Sequence, residues 1–269
     1  MRRTVQVRGI SYSVLQAGDG EECLLLLHGF TGSGDVFAPF FANWARRWTV
    51  LAPDLLGHGR TAAPASVERY RMAEQVADLA ALLDTFGFSR AHVLGYSMGG
   101  RIALSFAVQY PEYVLQLILE SASPGLATPS ERAARREADE RLAAEIEDIG
   151  LSAFIERWEK IPLFATHSAL PEGVRMRQRE IREQGTAFGY AQSLRGIGTG
   201  AQPSNWDLLG TLTMPTLLVT GELDAKFTAI NSQMARQMKA ARHVVIEEAG
   251  HTPHLEQPDA FAAAVETCF

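Results

Sequence analysis

Cysteine, lysine and long apolar runs are all scarce in this chain. Two cysteines in 269 residues build no disulfide framework, and since Cys23 opens an apolar stretch while Cys268 is the penultimate residue, both read as incidental. No segment reaches the roughly 18 apolar residues of a membrane span. Met1 to Gln6 carries two arginines with no apolar run behind them, unlike a secretory leader. The expectation is a soluble cytoplasmic protein with no membrane partner. Positive charge is in deficit, 25 Lys and Arg against 31 Asp and Glu for a net −6, which argues against nucleic acid as a partner. Within those cations the shortage is one-sided, with 3 lysines to 22 arginines. Codon preference and selection for planar, bidentate carboxylate recognition both account for that skew.

What is present is apolar and regularly spaced. At 46% hydrophobic and 21% charged residues, the chain can bury a large core without a disulfide or a metal. Its length fits one large domain or a core with an inserted subdomain. Strand-like runs fall at Thr4–Val7, Ser11–Gln16, Cys23–Leu27, Thr49–Ala52, His92–Gly95, Leu115–Leu119, Thr216–Thr220 and His243–Glu247. The last six are almost continuously apolar, as expected of strands covered on both faces in a parallel sheet. Helical patterns at Met72–Phe86, Met98–Gln109, Ala229–Lys239 and Pro258–Thr267 alternate with them. That order predicts a doubly wound, mostly parallel α/β fold. From 122 to 203 the rhythm stops, no strand is evident, and the composition turns charged and helical. The expected organisation is therefore an α/β core from 1–121 and 204–269 with a helical lid at 122–203. Residues 127–200 alone hold 10 of the 22 arginines.

Gly95-Tyr96-Ser97-Met98-Gly99 follows an apolar run and opens a helix, the setting of a nucleophile elbow. Small residues there permit a sharp turn that presents Ser97 at the carboxyl edge of the sheet. A serine nucleophile needs an acid and then a histidine further along the chain. Asp224 follows the Thr216–Thr220 run, with Glu222 as rival acid, and His251 follows the His243–Glu247 run. His28, His58, His92, His167, His243 and His254 are weaker candidates for the base. His28-Gly29-Phe30-Thr31-Gly32 follows another strand end, where the backbone N–H of Phe30 can join that of Met98 in an oxyanion hole. Asp54 and the Gly57-His58-Gly59 turn read as structural.

The whole chain resembles the α/β-hydrolase superfamily, and several further segments narrow the resemblance. These are Ser121-Ala122-Ser123-Pro124-Gly125-Leu126, Glu131-Arg132-Ala133-Ala134-Arg135, Trp158-Glu159-Lys160-Ile161-Pro162-Leu163-Phe164, Ser193-Leu194-Arg195-Gly196, Gly198-Thr199-Gly200-Ala201-Gln202-Pro203-Ser204 and Gly221-Glu222-Leu223-Asp224-Ala225-Lys226-Phe227. In that order they resemble the 2-succinyl-6-hydroxy-2,4-cyclohexadiene-1-carboxylate synthases of menaquinone biosynthesis. The resemblance implies a lyase in which the triad removes a proton α to a succinyl ketone and the ring expels its enolpyruvyl group as pyruvate. It implies no metal or organic cofactor, and a small tricarboxylate substrate. It also implies substrate contacts from Arg101, Arg135, Arg182, Tyr96 and Trp158, with Arg179 an alternative to Arg182. The family's usual leucine after Gly189 is replaced here by Tyr190. Two other readings stay open: a carboxylester or carbon–carbon bond hydrolase with the same triad, and a small-molecule receptor on the same fold.

Overall fold

A computed structural model describes residues 1–268, and its centre is a sheet whose strands sort their side chains by parity. The strands are β1 (Arg2–Val7), β2 (Ile10–Ala17), β3 (Cys23–Leu27), β4 (Thr49–Pro53), β5 (Ala91–Tyr96), β6 (Val114–Glu120), β7 (Thr216–Gly221) and β8 (Ala241–Ile246). In β3, Cys23, Leu25 and Leu27 enter one buried cluster while Leu24 and Leu26 enter the other. The same alternation divides Leu117 and Leu119 from Ile118 in β6, and Leu218 from Leu217 and Val219 in β7. Both faces are therefore apolar, which is why these strands read as unbroken hydrophobic runs.

The strands lie in the order β1-β2-β4-β3-β5-β6-β7-β8. The β1–β2 and β2–β4 pairs are antiparallel, and every pair from β4 through β8 is parallel. Helices α1 (Ala38–Trp44), α2 (Met72–Thr85) and α3 (Met98–Gln109) follow in the first half of the chain. Between β6 and β7 come α4 (Pro129–Ile149), α5 (Leu151–Trp158), a 3-10 turn at Pro162–Ala169, α6 (Glu172–Glu183) and α7 (Ala187–Ile197). The chain closes with α8 (Ala225–Gln237), the short α9 (Pro253–Glu256) and α10 (Pro258–Glu266). One buried cluster joins α2, α3 and α8 to the sheet, and the other joins α1 and α10. The sheet is thus doubly wound, as the β-α alternation requires.

One expectation is corrected. Among the described residues β8 pairs only with β7, and it is largely half-buried or exposed along its length, so it is an edge strand and not one covered on both faces. Its apolar run, Val244 to Ile246, made an edge look like an interior strand. Between β6 and β7, α4 starts at a capping box in which Thr128 and Glu131 satisfy each other's N–H groups. A third cluster, including Ile146, Phe154, Tyr190 and Leu194, packs α4, α5 and α7 together, with Phe30 and Trp158 against it. No helix among the described residues is long and apolar enough to cross a membrane.

Candidate active site

The end of β5 and the start of α3 leave no room for an ordinary turn. Ser97 joins them at φ 50°, in the left-handed region, a conformation that costs a non-glycine residue about 1–3 kcal/mol and persists only where its surroundings enforce it. A Cβ on Gly99 would collide with the Leu27 carbonyl oxygen, so the close approach of α3 to β3 requires glycine there. The Ser97 N–H donates to the Glu120 carbonyl at 2.8 Å, fixing the turn to the end of β6.

Three elements then meet. Asp224 caps α8: its Oδ1 accepts from the Phe227 N–H at 3.2 Å. Its Oδ2 is left for His251, whose Nδ1–H lies 2.7 Å away. On the other side of the ring, the Ser97 hydroxyl lies 3.0 Å from His251 Nε2. The carboxylate thereby sets the tautomer that leaves Nε2 as an acceptor. Glu222, one residue past β7, is exposed and instead accepts from the Glu248 N–H at 3.2 Å. Of the two acids, only Asp224 reaches the histidine.

Ser97 and His251 open onto a cavity of about 350 Å³ that is also lined by Phe30, Met98, Tyr96 and Trp158. Among the described residues, the N–H groups of Phe30 and Met98 have no hydrogen-bond partner. Arg101 and Arg135 line the same cavity. The Arg101 guanidinium is buried, which pulls it down to about 10, and it donates to Ile197 O at 2.9 Å and Gln202 Oε1 at 3.0 Å. Arg135 spends Nε on Asp139, one turn along α4, at 2.7 Å. Sequence reasoning missed Lys226, which also lines the cavity and lies 5.4 Å from the Phe227 ring.

Arg182 is placed elsewhere. It borders a neighbouring cavity of about 540 Å³ together with Arg179, and both pair with Glu159, Arg182 at 2.9 Å. Its guanidinium lies 5.6 Å from the Phe164 ring, and Phe164 borders both cavities. The unexpected Tyr190 holds this arrangement from behind: its hydroxyl is 2.6 Å from Arg182 O and 3.1 Å from Thr31 O.

The remaining histidines have structural partners. His28 accepts from the Leu55 N–H through Nε2 at 2.8 Å, and its Nδ1–H reaches Gly29 O at 2.8 Å. Burial lowers it to about 4, and lowers His58 beside it to about 3, so both stay neutral beneath the Phe30 loop. Asp54 accepts from the Gly34 and Arg60 N–H groups and from Arg2. Among the described residues no group of three or more His, Cys, Asp or Glu is arranged to hold a metal ion.

Comparison with known proteins gives a consistent answer. A family model described as the alpha/beta hydrolase fold matches residues 22–258. A Bacillus subtilis (strain 168) protein that provisionally carries the name 2-succinyl-6-hydroxy-2,4-cyclohexadiene-1-carboxylate synthase is 42% identical over 96% of this chain and 94% of its own length. The synthase of that name from Pectobacterium atrosepticum is 31% identical over 91% of this chain and 92% of that protein. The solved structure of MenH from S. aureus superposes with a TM-score of 0.90 at 31% identity, covering 96% of this chain and 97% of that one.

Proposed function

The chain belongs to the 2-succinyl-6-hydroxy-2,4-cyclohexadiene-1-carboxylate synthase family of the α/β-hydrolase fold, and on that premise we propose that it eliminates pyruvate from 2-succinyl-5-enolpyruvyl-6-hydroxy-3-cyclohexene-1-carboxylate. The observation that carries the reading is that the Ser97–His251–Asp224 chain opens into a cavity that also holds Arg101 and Arg135. A simple esterase has no need of guanidinium groups there. A substrate with three carboxylates does, because burying unpaired carboxylates is costly and guanidinium pairs them bidentately.

His251 takes the Ser97 hydroxyl proton, and the serine oxygen takes the ring proton α to the succinyl ketone. The electron pair moves onto the ketone oxygen, where the Phe30 and Met98 N–H groups supply hydrogen bonds that strengthen as charge develops. Collapse of that enolate shifts the ring double bond and breaks the ring carbon–oxygen bond. The imidazolium proton passes to the departing enolpyruvate, which tautomerises to pyruvate. No water is consumed and no acyl-enzyme forms. Arg101, Arg135 and Lys226 offer one cation for each carboxylate, while Tyr96 and Trp158 wall the ring. Incubation with the enolpyruvyl substrate should release pyruvate, read as NADH loss through lactate dehydrogenase. Hydrolysis of aryl esters with no pyruvate from this substrate would overturn the reading.

A further inference from the structure

Glu256 is a buried carboxylate for which the elimination has no use. Its Oε2 accepts from the Gly250 N–H at 2.7 Å, and its Oε1 accepts from the Thr252 N–H at 3.0 Å. One carboxylate therefore holds the 251–252 peptide that follows His251 and the 249–250 peptide one residue before it. The 251–252 plane adjoins the His251 Cα directly, and with the 249–250 plane also held, only the Gly250 dihedrals are left to turn the His251 side chain. Burial pushes the Glu256 carboxyl up, but the hydrogen bonds from Thr252 and Gly250 outweigh it and hold the group below the usual range.

The same carboxylate is wired to the helical segment. The Thr252 hydroxyl donates to Glu256 Oε1 at 2.7 Å and lies 2.6 Å from His167 Nε2, in the 3-10 turn that precedes α6. With the Thr252 proton spent on Glu256, His167 Nε2–H is the donor in that contact. Burial lowers His167 to about 4, so it stays neutral and keeps this tautomer at neutral pH. Two other residues of the turn press on the same loop. Phe164 lies 6.2 Å from the His251 ring between centroids, and a Cβ on Gly250 would come within 2.5 Å of Thr166 Oγ1. From the sheet side, Glu120 holds the far end of the loop by accepting from the His254 N–H at 2.9 Å.

We propose that Glu256 is a positioning residue for His251, and that its link through Thr252 to His167 makes the alignment of the base depend on how the helical segment sits over the cavity. A helix cap alone would need only the contact to the Thr252 N–H; the second oxygen on Gly250 and the bridge to His167 serve the histidine between them. The inference rests on the triad reading above, and its test uses a reaction that needs the triad but not the enolpyruvyl substrate. A fluorophosphonate forms a bond from Ser97 Oγ to phosphorus as the phosphorus–fluorine bond breaks, with His251 taking the serine proton and fluoride leaving.

In Glu256→Gln, one oxygen acceptor becomes an amide donor facing an N–H group. Phosphonylation should slow roughly 10- to 100-fold, as misalignment of a reacting pair does, and kcat for pyruvate release should fall in step while KM stays near the wild-type value. Thr252→Val keeps the Thr252 N–H contact but removes the hydroxyl, and with it both the bond to Glu256 and the bridge to His167; it should slow both rates roughly 3- to 10-fold, as loss of a hydrogen-bonded link does. It also decides the matter if Glu256→Gln does not fold. Folded variants labelled and turning over at the wild-type rate overturn the proposal. Wild-type protein that is labelled but releases no pyruvate overturns the synthase reading instead, and the positioning role is then judged on labelling alone.

Discussion

The convergence of Ser97, Asp224 and His251 was legible in the sequence because each follows a strand end, and strand ends at one edge of a parallel sheet converge. The arginines were not readable in the same way. Arg175, Arg177, Arg179 and Arg182 share α6, and which of them faces a cavity is decided by how that helix docks on Glu159 and Phe164, which spacing does not encode. Lys226 escaped notice because a single lysine makes no pattern. Its signal is electrostatic: it stands in the first turn of α8, where the helix dipole disfavours a cation, and no acid pairs with it among the described residues. Arg135→Ala and Lys226→Ala should each raise KM for the tricarboxylate by about 1.5–3 kcal/mol, roughly 10- to 150-fold, with kcat little changed. Arg182→Ala should leave KM near the wild-type value in steady-state assays. A larger KM effect at Arg182 than at Lys226 would make Arg182 the third carboxylate ligand.

The β strands and the long helices were legible because two apolar faces, or one apolar stripe, leave a periodic trace. Edges and caps leave less. β8 looked like an interior strand because Val244, Val245 and Ile246 run together without a polar break although Val245 is exposed, and α8 starts at Ala225, a turn earlier than its apolar pattern, because Asp224 caps it. The carboxylates of Glu120 and Glu256 gave only faint signals, a lone acid closing an apolar strand and an acid five residues past His251. The α3–β3 contact is the most demanding packing at the site. Gly99→Ala should lower stability by about 1–3 kcal/mol or more, because the added methyl meets backbone, which no rotamer change relieves. Urea unfolding would register this as a lower midpoint, and an unchanged midpoint would show that α3 can move away from Leu27.

Across the molecule, three buried histidines that stay neutral tie stability to pH. His28 and His167 are lowered to about 4 and His58 to about 3, burial being the main cause in each. An unfolded chain protonates them near 6.5, so their contribution is present above that pH and is lost as pH falls toward their folded values. For the fully buried pair the loss is on the order of 3 kcal/mol each. Melting temperature should therefore drop steadily from pH 6.5 to 4, and a flat profile over that interval would mean these sites are reached by water. The fold, the triad and the basic cavity converge on one claim, that a Ser97-centred triad drives pyruvate elimination. Its most direct test is the rate of pyruvate release from the enolpyruvyl substrate by wild-type protein and by folded Ser97→Ala. The account predicts stoichiometric pyruvate from the wild type and a loss on the order of 10⁴-fold or more in the variant; equal rates in the two proteins would contradict it.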